Sequence, residues 1–380
     1  MSWACLFISC GIAGKTMRNP RTSARSPYME FAKLRSSARF NLATSGVMSY
    51  PLSELPVRLE HLEINGPTVY GYAPLQERIA RKNGVSLECV VAAAGTSMAN
   101  HLAMAATFEP GDEVLIEQPT YELLLRTAEY LGAVVRRFPR RFEKDFRLDP
   151  EEVAKQITPR TRLVVITNLH NPSGAFADNA ALAEVGEIAR GVGARVLVDE
   201  VYLEALFEDA PRSAFHLGNH FLVTSSLTKA YGLSGIRCGW VLAEPEVAER
   251  MWKINDLYGA TPVHVGELLS VIALDNLNRV AAPAKALLKQ NREALNAFLD
   301  ASELECFRPQ YGTIAFPRLR CGNAGDLFDL LTRKYETSVV PGKFFEMPQH
   351  FRVGIGGDPE MTAEGLKRLG KALQKFAAKE

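Results

Sequence analysis

From about Ser86 to Ala243, short β-rich runs alternate with helical patterns. Strands are expected at Glu113–Glu117, Ala133–Phe138, Arg162–Thr167, Arg195–Asp199, Phe221–Ser225 and Arg237–Leu242. Several are largely apolar, as befits strands buried on both faces. Between them Thr120–Leu131 and Ala180–Gly191 read as helices, the second closed by a glycine stop signal. Such alternation implies βαβ units and an α/β fold, a three-layer αβα arrangement around a mostly parallel sheet. In such sheets ligands sit beyond the carboxyl ends of the strands.

The pattern changes after about Pro245. Long helical stretches at Glu246–Leu257, Val263–Leu274 and Pro283–Leu299 precede short strands near Phe307, Ile314, Val339 and Phe351. An amphipathic helix is expected over about Met361–Ala378. The expected division is an irregular N-terminal arm over 1–45 that contributes to the small domain, a large domain over 46–255 and a smaller α+β domain over 256–380. There are no internal repeats and no low-complexity tract.

Composition narrows the class without naming it. The 380 residues are 47% hydrophobic and 23% charged, a soluble globular balance. Lys plus Arg number 44 against 43 acids, so charge offers no reason to expect nucleic acid. No apolar run approaches the roughly 18 residues that span a bilayer. The six cysteines, Cys5, Cys10, Cys89, Cys238, Cys306 and Cys321, have no paired spacing, which suits reduced thiols in the cytoplasm better than a disulfide frame or zinc site. Met1–Gly14 is mildly apolar but lacks a basic n-region; it reads as an arm or as an upstream start before Met17.

Four short segments carry candidate chemistry. Lys229 follows the strand Phe221–Ser225 in Ser226-Leu227-Thr228-Lys229, with Arg237 eight residues on. A lysine at a strand's carboxyl end can condense with a carbonyl if burial and positive neighbours hold it partly unprotonated. Ser226 and Arg237 suit a phosphate. Asp199 ends another apolar strand, where a carboxylate can pair with a protonated pyridine nitrogen, and Tyr202 lies three residues on. Asn171-Pro172-Ser173-Gly174 is a turn that also offers an amide. Gly95-Thr96-Ser97 opens a helix, where small residues let an anion approach free N–H groups. Each alone has an ordinary reading as a loop lysine, strand cap, turn or glycine bend.

Together, in this order, they closely resemble the class I/II aminotransferases, pyridoxal-phosphate enzymes of the aspartate aminotransferase fold (fold type I). The resemblance runs from about Phe40 to the C-terminus, with 28 residues from Asn171 to Asp199 and 30 from Asp199 to Lys229. It implies pyridoxal 5'-phosphate held by Lys229 as a Schiff base, with Lys229 then shuttling a proton. It further implies Asp199 on the pyridinium nitrogen, and Tyr202 and Asn171 on the ring's phenolic oxygen. Gly95, Thr96, Ser226 and Arg237 would hold the phosphate, and Tyr121 would stack on the ring. Arg352, in Phe351-Arg352-Val353-Gly354, would grip the substrate α-carboxylate, with Gly46 contacting the same group. The family's cross-subunit tyrosine matches Tyr70, with Tyr72 as the competitor, and implies a homodimer with shared active sites. Amino acid and 2-oxo acid substrates follow.

Other features lead elsewhere or nowhere. Gly11–Thr16 ends like a P-loop but has Ser9 where the first glycine belongs. His216 and His220 flank Gly218 without a helix, so no metal site is expected. The basic run Arg136–Arg141 reads as a solvated strand end. A C–S β-lyase or other lyase on the same scaffold is the rival reaction, and a non-catalytic sensor the rival class. No second charged anchor stands out for the donor side chain, although Arg126, Lys343 and Tyr311 are candidates to lie near it.

Overall fold

The computed structural model describes residues 24–377. The readings of Met1–Gly14, of Gly11–Thr16, of Cys5 and of Cys10 lie outside them. The chain begins with α1 (Pro27–Leu34) and β1 (Phe40–Asn41), then α2 (Ala73–Asn83), β2 (Val90–Ala94) and α3 (Thr96–Ala105). The alternation continues through β3 (Glu113–Gln118), α4 (Glu122–Tyr130), β4 (Val134–Pro139), α5 (Pro150–Gln156), β5 (Thr161–Thr167), α6 (Asn179–Gly191) and β6 (Arg195–Asp199). Then come β7 (Phe221–Ser226), β8 (Cys238–Leu242), α7 (Pro245–Asn255), α8 (His264–Asp275) and α9 (Leu277–Asp300). The last stretch holds β9 (Ile314–Ala315), α10 (Ala324–Tyr335), β10 (Thr337–Ser338), β11 (Val340–Pro341), β12 (Phe351–Gly354) and α11 (Pro359–Ala377).

Seven strands form one sheet in the order β2-β8-β7-β6-β5-β3-β4. Neighbours from β7 to β4 pair in parallel, and β8 runs antiparallel to both β7 and β2. The apolar runs explain the layering: Leu163–Ile166 and Val196–Val198 are fully buried, so helices must cover both faces. Chain direction then brings the carboxyl ends of β2, β5, β6 and β7 to one edge. Asp178 starts α6 by accepting from the Ala181 N–H, a side-chain cap.

Three differences from the sequence expectation have physical causes. Val90–Ala94 is a strand, although its alanine-rich run carries no periodicity that separates strand from helix. α9 starts six residues before Pro283, which sits inside it rather than opening it. Near Phe307 there is no strand, only an isolated bridge between Glu305 and Arg318. The arm is also less irregular than expected. Ser26 caps α1 and Pro27 occupies its first turn. Tyr28 and Phe31 bury themselves in an aromatic cluster with Phe316, Phe328 and Phe345, worth about 1.5–3 kcal/mol per side chain. β1 then pairs with β10, and β9, β11 and β12 form a separate three-stranded sheet.

Candidate active site

A cavity of about 220 Å³ opens at the shared carboxyl edge, lined among others by Thr96, Tyr121, Asn171, Asp199, Tyr202 and Lys229. Segments far apart in sequence meet there because their strands end together.

Asp199 terminates β6 and is buried. Asn100 Nδ2 donates to its Oδ2 at 2.8 Å, and the Val201 N–H donates to Oδ1 at 3.1 Å. Burial pushes its carboxyl up to about 6, and these two donors pull it back. A buried carboxylate with so little compensation favours a cationic partner in the cavity. Tyr202, also buried, is pushed up by burial, while Arg352 and a hydrogen bond with Ser45 act against that.

Lys229 lies three residues past β7, with Nζ donating to Ser45 Oγ at 3.0 Å. Burial lowers its ammonium from the ordinary value; Arg352 and Arg237 push the same way, against Tyr28 and Asp199. The amine is therefore closer to its nucleophilic form than a surface lysine. Gly46 lies against it: a Cβ there would sit 3.3 Å from Lys229 Cδ, and the Val47 N–H bonds the Lys229 carbonyl at 2.9 Å. The structure thus places Gly46 beside the lysine; the arm carbonyl that accepts from Arg352 is Ala43.

At the other end of the cavity α3 starts with Gly95 at φ 80° and no side-chain cap, leaving its first N–H groups free. Thr96 Oγ1 donates to Ser226 Oγ at 2.8 Å, and Arg237 Nη2 to the Ala94 carbonyl at 2.9 Å. A Cβ on Gly95 would collide with the Arg237 guanidinium. Helix terminus, two hydroxyls and guanidinium form a cradle of the kind that binds phosphate.

Arg352 is fully buried on β12. Its Nη1 donates to Asn171 Oδ1 at 3.0 Å, and its Nη2 to Tyr28 Oη at 2.8 Å and the Ala43 carbonyl at 3.3 Å. Its Nε has no partner, and among the described residues no carboxylate pairs with it. A dry guanidinium facing only neutral acceptors is chemically suited to an anion.

Tyr121 lines the cavity at the N-cap of α4, 5.6 Å edge-on from Tyr28. Tyr70 stays outside its own chain's cavity: it is exposed and bonds Asp256 Oδ2 at 3.1 Å. Tyr72 is also elsewhere, edge-on to His264 at 4.9 Å. Arg126 pairs with Glu122 and Glu129, and neither it, Lys343 nor Tyr311 lines the cavity. His216 bonds the Asn83 carbonyl at 2.8 Å, away from His220. Among the described residues no helix is long and apolar enough to cross a membrane. The sequence reading missed Tyr28, Met29, Ser45 and Asn100. Asn100 has one visible signal, its position one helical turn past Thr96. The arm residues have none, because only the folded arm reaches the cavity.

Residues 61–369 match the family model described as aminotransferase class I and II. A curated relative, capreomycidine synthase of Streptomyces vinaceus, is 28% identical over 351 residues, 88% of this chain and 90% of that one. Arginine–pyruvate transaminase of Pseudomonas aeruginosa is 29% identical over 316 residues, 79% of this chain and 80% of that one. A solved PLP-dependent aminotransferase from Streptococcus suis superposes with a TM-score of 0.86 at 26% identity, covering 95% of this chain and 99% of that one. The chain belongs to the aminotransferase class I and II family. It is a pyridoxal-phosphate enzyme, and the reaction class is amino-group transfer. The cavity fits that cofactor on its own terms. It offers an anion cradle at one end, an undercompensated buried carboxylate on β6 and a depressed lysine beside it.

Proposed function

We propose that this enzyme moves the amino group of an L-amino acid to a 2-oxo acid in two half-reactions at one site. Bound pyridoxal phosphate supplies a carbonyl for the donor nitrogen and a protonated ring that draws electrons from Cα. Lys229 would hold the cofactor at rest and, once released, would take the proton from the donor Cα and deliver it to the cofactor carbon on the far side of the donor nitrogen. Asp199 stays ionised against the ring nitrogen, with Asn100 fixing its second oxygen. Tyr202 and Asn171 hold the phenolic oxygen, and Tyr121 covers the ring face. Gly95, Thr96, Ser226 and Arg237 hold the phosphate. Arg352 binds the α-carboxylate and so aims the Cα–H bond at Lys229.

The observation that carries this reading is the buried, carboxylate-free guanidinium of Arg352 beside the cavity of Lys229 and Asp199. The test is a panel of ¹⁵N-labelled amino acids with a 2-oxo acid acceptor. Label appearing on the acceptor, with donor released as its 2-oxo acid, supports the reading. Donor consumed without label transfer contradicts it.

The reading extends to a cytoplasmic homodimer with the chain divided at about 45 and 255. Support for the dimer comes from apolar side chains left in solvent, Ile64 at 91% exposed and Val69 at 58% in one segment, Leu257 at 80% and Val263 at 73% in another. Tyr70 sits in the first of these segments and is our candidate to reach the neighbouring subunit's cofactor. Sedimentation that gives a monomer at micromolar concentration counts against this extension.

A further inference from the structure

Glu117 and Arg140 are both fully buried beneath the cavity floor, at the end of β3 and just past β4. Arg140 Nη1 donates to Glu117 Oε2 at 2.9 Å. Glu117 Oε1 accepts from the Thr167 N–H at 2.7 Å and from Thr167 Oγ1 at 2.5 Å. Three donors on two oxygens suit a carboxylate. The Thr167 hydroxyl, having spent its only proton on Glu117, accepts the Asn171 N–H at 3.0 Å. Asn171 Oδ1 then accepts from Arg352 Nη1 at 3.0 Å.

Every link in this chain has one possible direction. Guanidinium only donates, so Asn171 must turn its oxygen to Arg352 and its amide hydrogens away. An ionised Glu117 only accepts, so the Thr167 hydroxyl must point at it and keep a lone pair for Asn171. We infer that Glu117, locked by Arg140, is a positioning residue for the carboxylate grip: through Thr167 and Asn171 it sets where the Arg352 guanidinium points. Resting on the reading of Arg352 as the α-carboxylate site, the inference adds a second, remote charge pair that tunes it.

Glu117→Gln alone leaves Arg140 buried without a counterion and endangers folding. Thr167→Val is the cleaner cut, because it removes the hydroxyl and leaves the ion pair in place. With the best donor from the amino-acid panel, Thr167→Val should raise KM about tenfold with kcat changed about twofold or less. KM for the matching amine without the carboxylate should not move, and Thr167→Ser should restore the amino-acid KM. The double variant Glu117→Gln with Arg140→Met should fold yet keep the raised amino-acid KM. An equal rise for amino acid and amine, or no rise in Thr167→Val, overturns the inference. Arg352→Met is the control. If it leaves the amino-acid KM unchanged, the carboxylate reading itself is wrong, whichever way Thr167→Val behaves.

Discussion

The regions around Arg140 and Arg352 each hold a fully buried guanidinium, and they treat it in opposite ways. Arg140 faces a carboxylate of its own chain, Glu117 at 2.9 Å, and donates its Nε to the Phe146 carbonyl at 2.7 Å. Arg352 faces an amide oxygen, a phenol and a backbone carbonyl and no carboxylate among the described residues, and each guanidinium leaves one nitrogen, Arg140 Nη2 and Arg352 Nε, without a hydrogen-bond partner. Desolvating a guanidinium without a counterion costs several kcal/mol. The first region recovers that cost on folding. On the proposed reading the second recovers it when the substrate carboxylate arrives, so its stability would be deferred to binding. A charge kept for structure can thus be told from a charge kept for a ligand by what surrounds it.

That contrast breaks first under mutation. Arg140→Met should cost about 3–5 kcal/mol in chemical denaturation, because it strands Glu117. Arg352→Met should leave the fold at least as stable, since no carboxylate loses a partner. If both variants destabilise equally, the distinction between the two regions fails. On activity the order reverses. Arg352→Met should raise the amino-acid KM about a hundredfold, as expected for removing one partner of a buried charge contact, and Arg140→Met should raise it far less. A saturating carboxylate at about 100 times its Kd should stabilise the parent protein by about 2.7 kcal/mol and Arg352→Met by nothing, read as a change in Tm.

The smallest effect concerns a buried carboxyl, Glu200, that forms no ion pair among the described residues and feels the opposing charge of Lys82 only from a distance. Glu200 follows Asp199, accepts the Ala214 N–H at 2.8 Å, and is pushed up to about 7 by burial. A carboxyl raised above its unfolded value favours folding while protonated and loses that contribution as pH climbs through the folded value. Glu200→Gln should therefore be more stable than the parent at pH 8, and that advantage should shrink by about 1 kcal/mol at pH 6. An advantage that grows on acidification contradicts the assignment. Taking the difference between the two proteins cancels the buried histidines, whose depressed values act in the opposite sense.

How much was legible in the sequence follows the same division. Lys229, Asp199 and Asn171 were readable as cavity positions because each follows or ends an apolar strand, and strand ends are marked by local pattern; Arg237 was readable from its spacing to Lys229, just ahead of β8. The sheet strands were readable for the same reason, except Val90–Ala94, whose alanines favour no period. Arg352 was readable through its own short segment. Its surroundings were not: Tyr28 lies 324 residues away and reaches it only through the folded arm. The Glu117–Arg140 pair was invisible because Arg140 sits in a basic run that reads as solvated, and only the register of β3 against β4 and β5 turns it inward. Tyr70 was readable as a motif, yet its own chain gives it no cavity to enter. Local chemistry shows in sequence, and the pairing of charges across the sheet does not.

The central claim is that the cofactor is bound through Lys229. Borohydride reduction of the purified holoenzyme, followed by proteolysis and mass spectrometry, tests it directly. The account predicts one cofactor-bearing peptide, with the modification on Lys229, and none in Lys229→Ala. Labelling at another lysine, or unchanged labelling in Lys229→Ala, would contradict it.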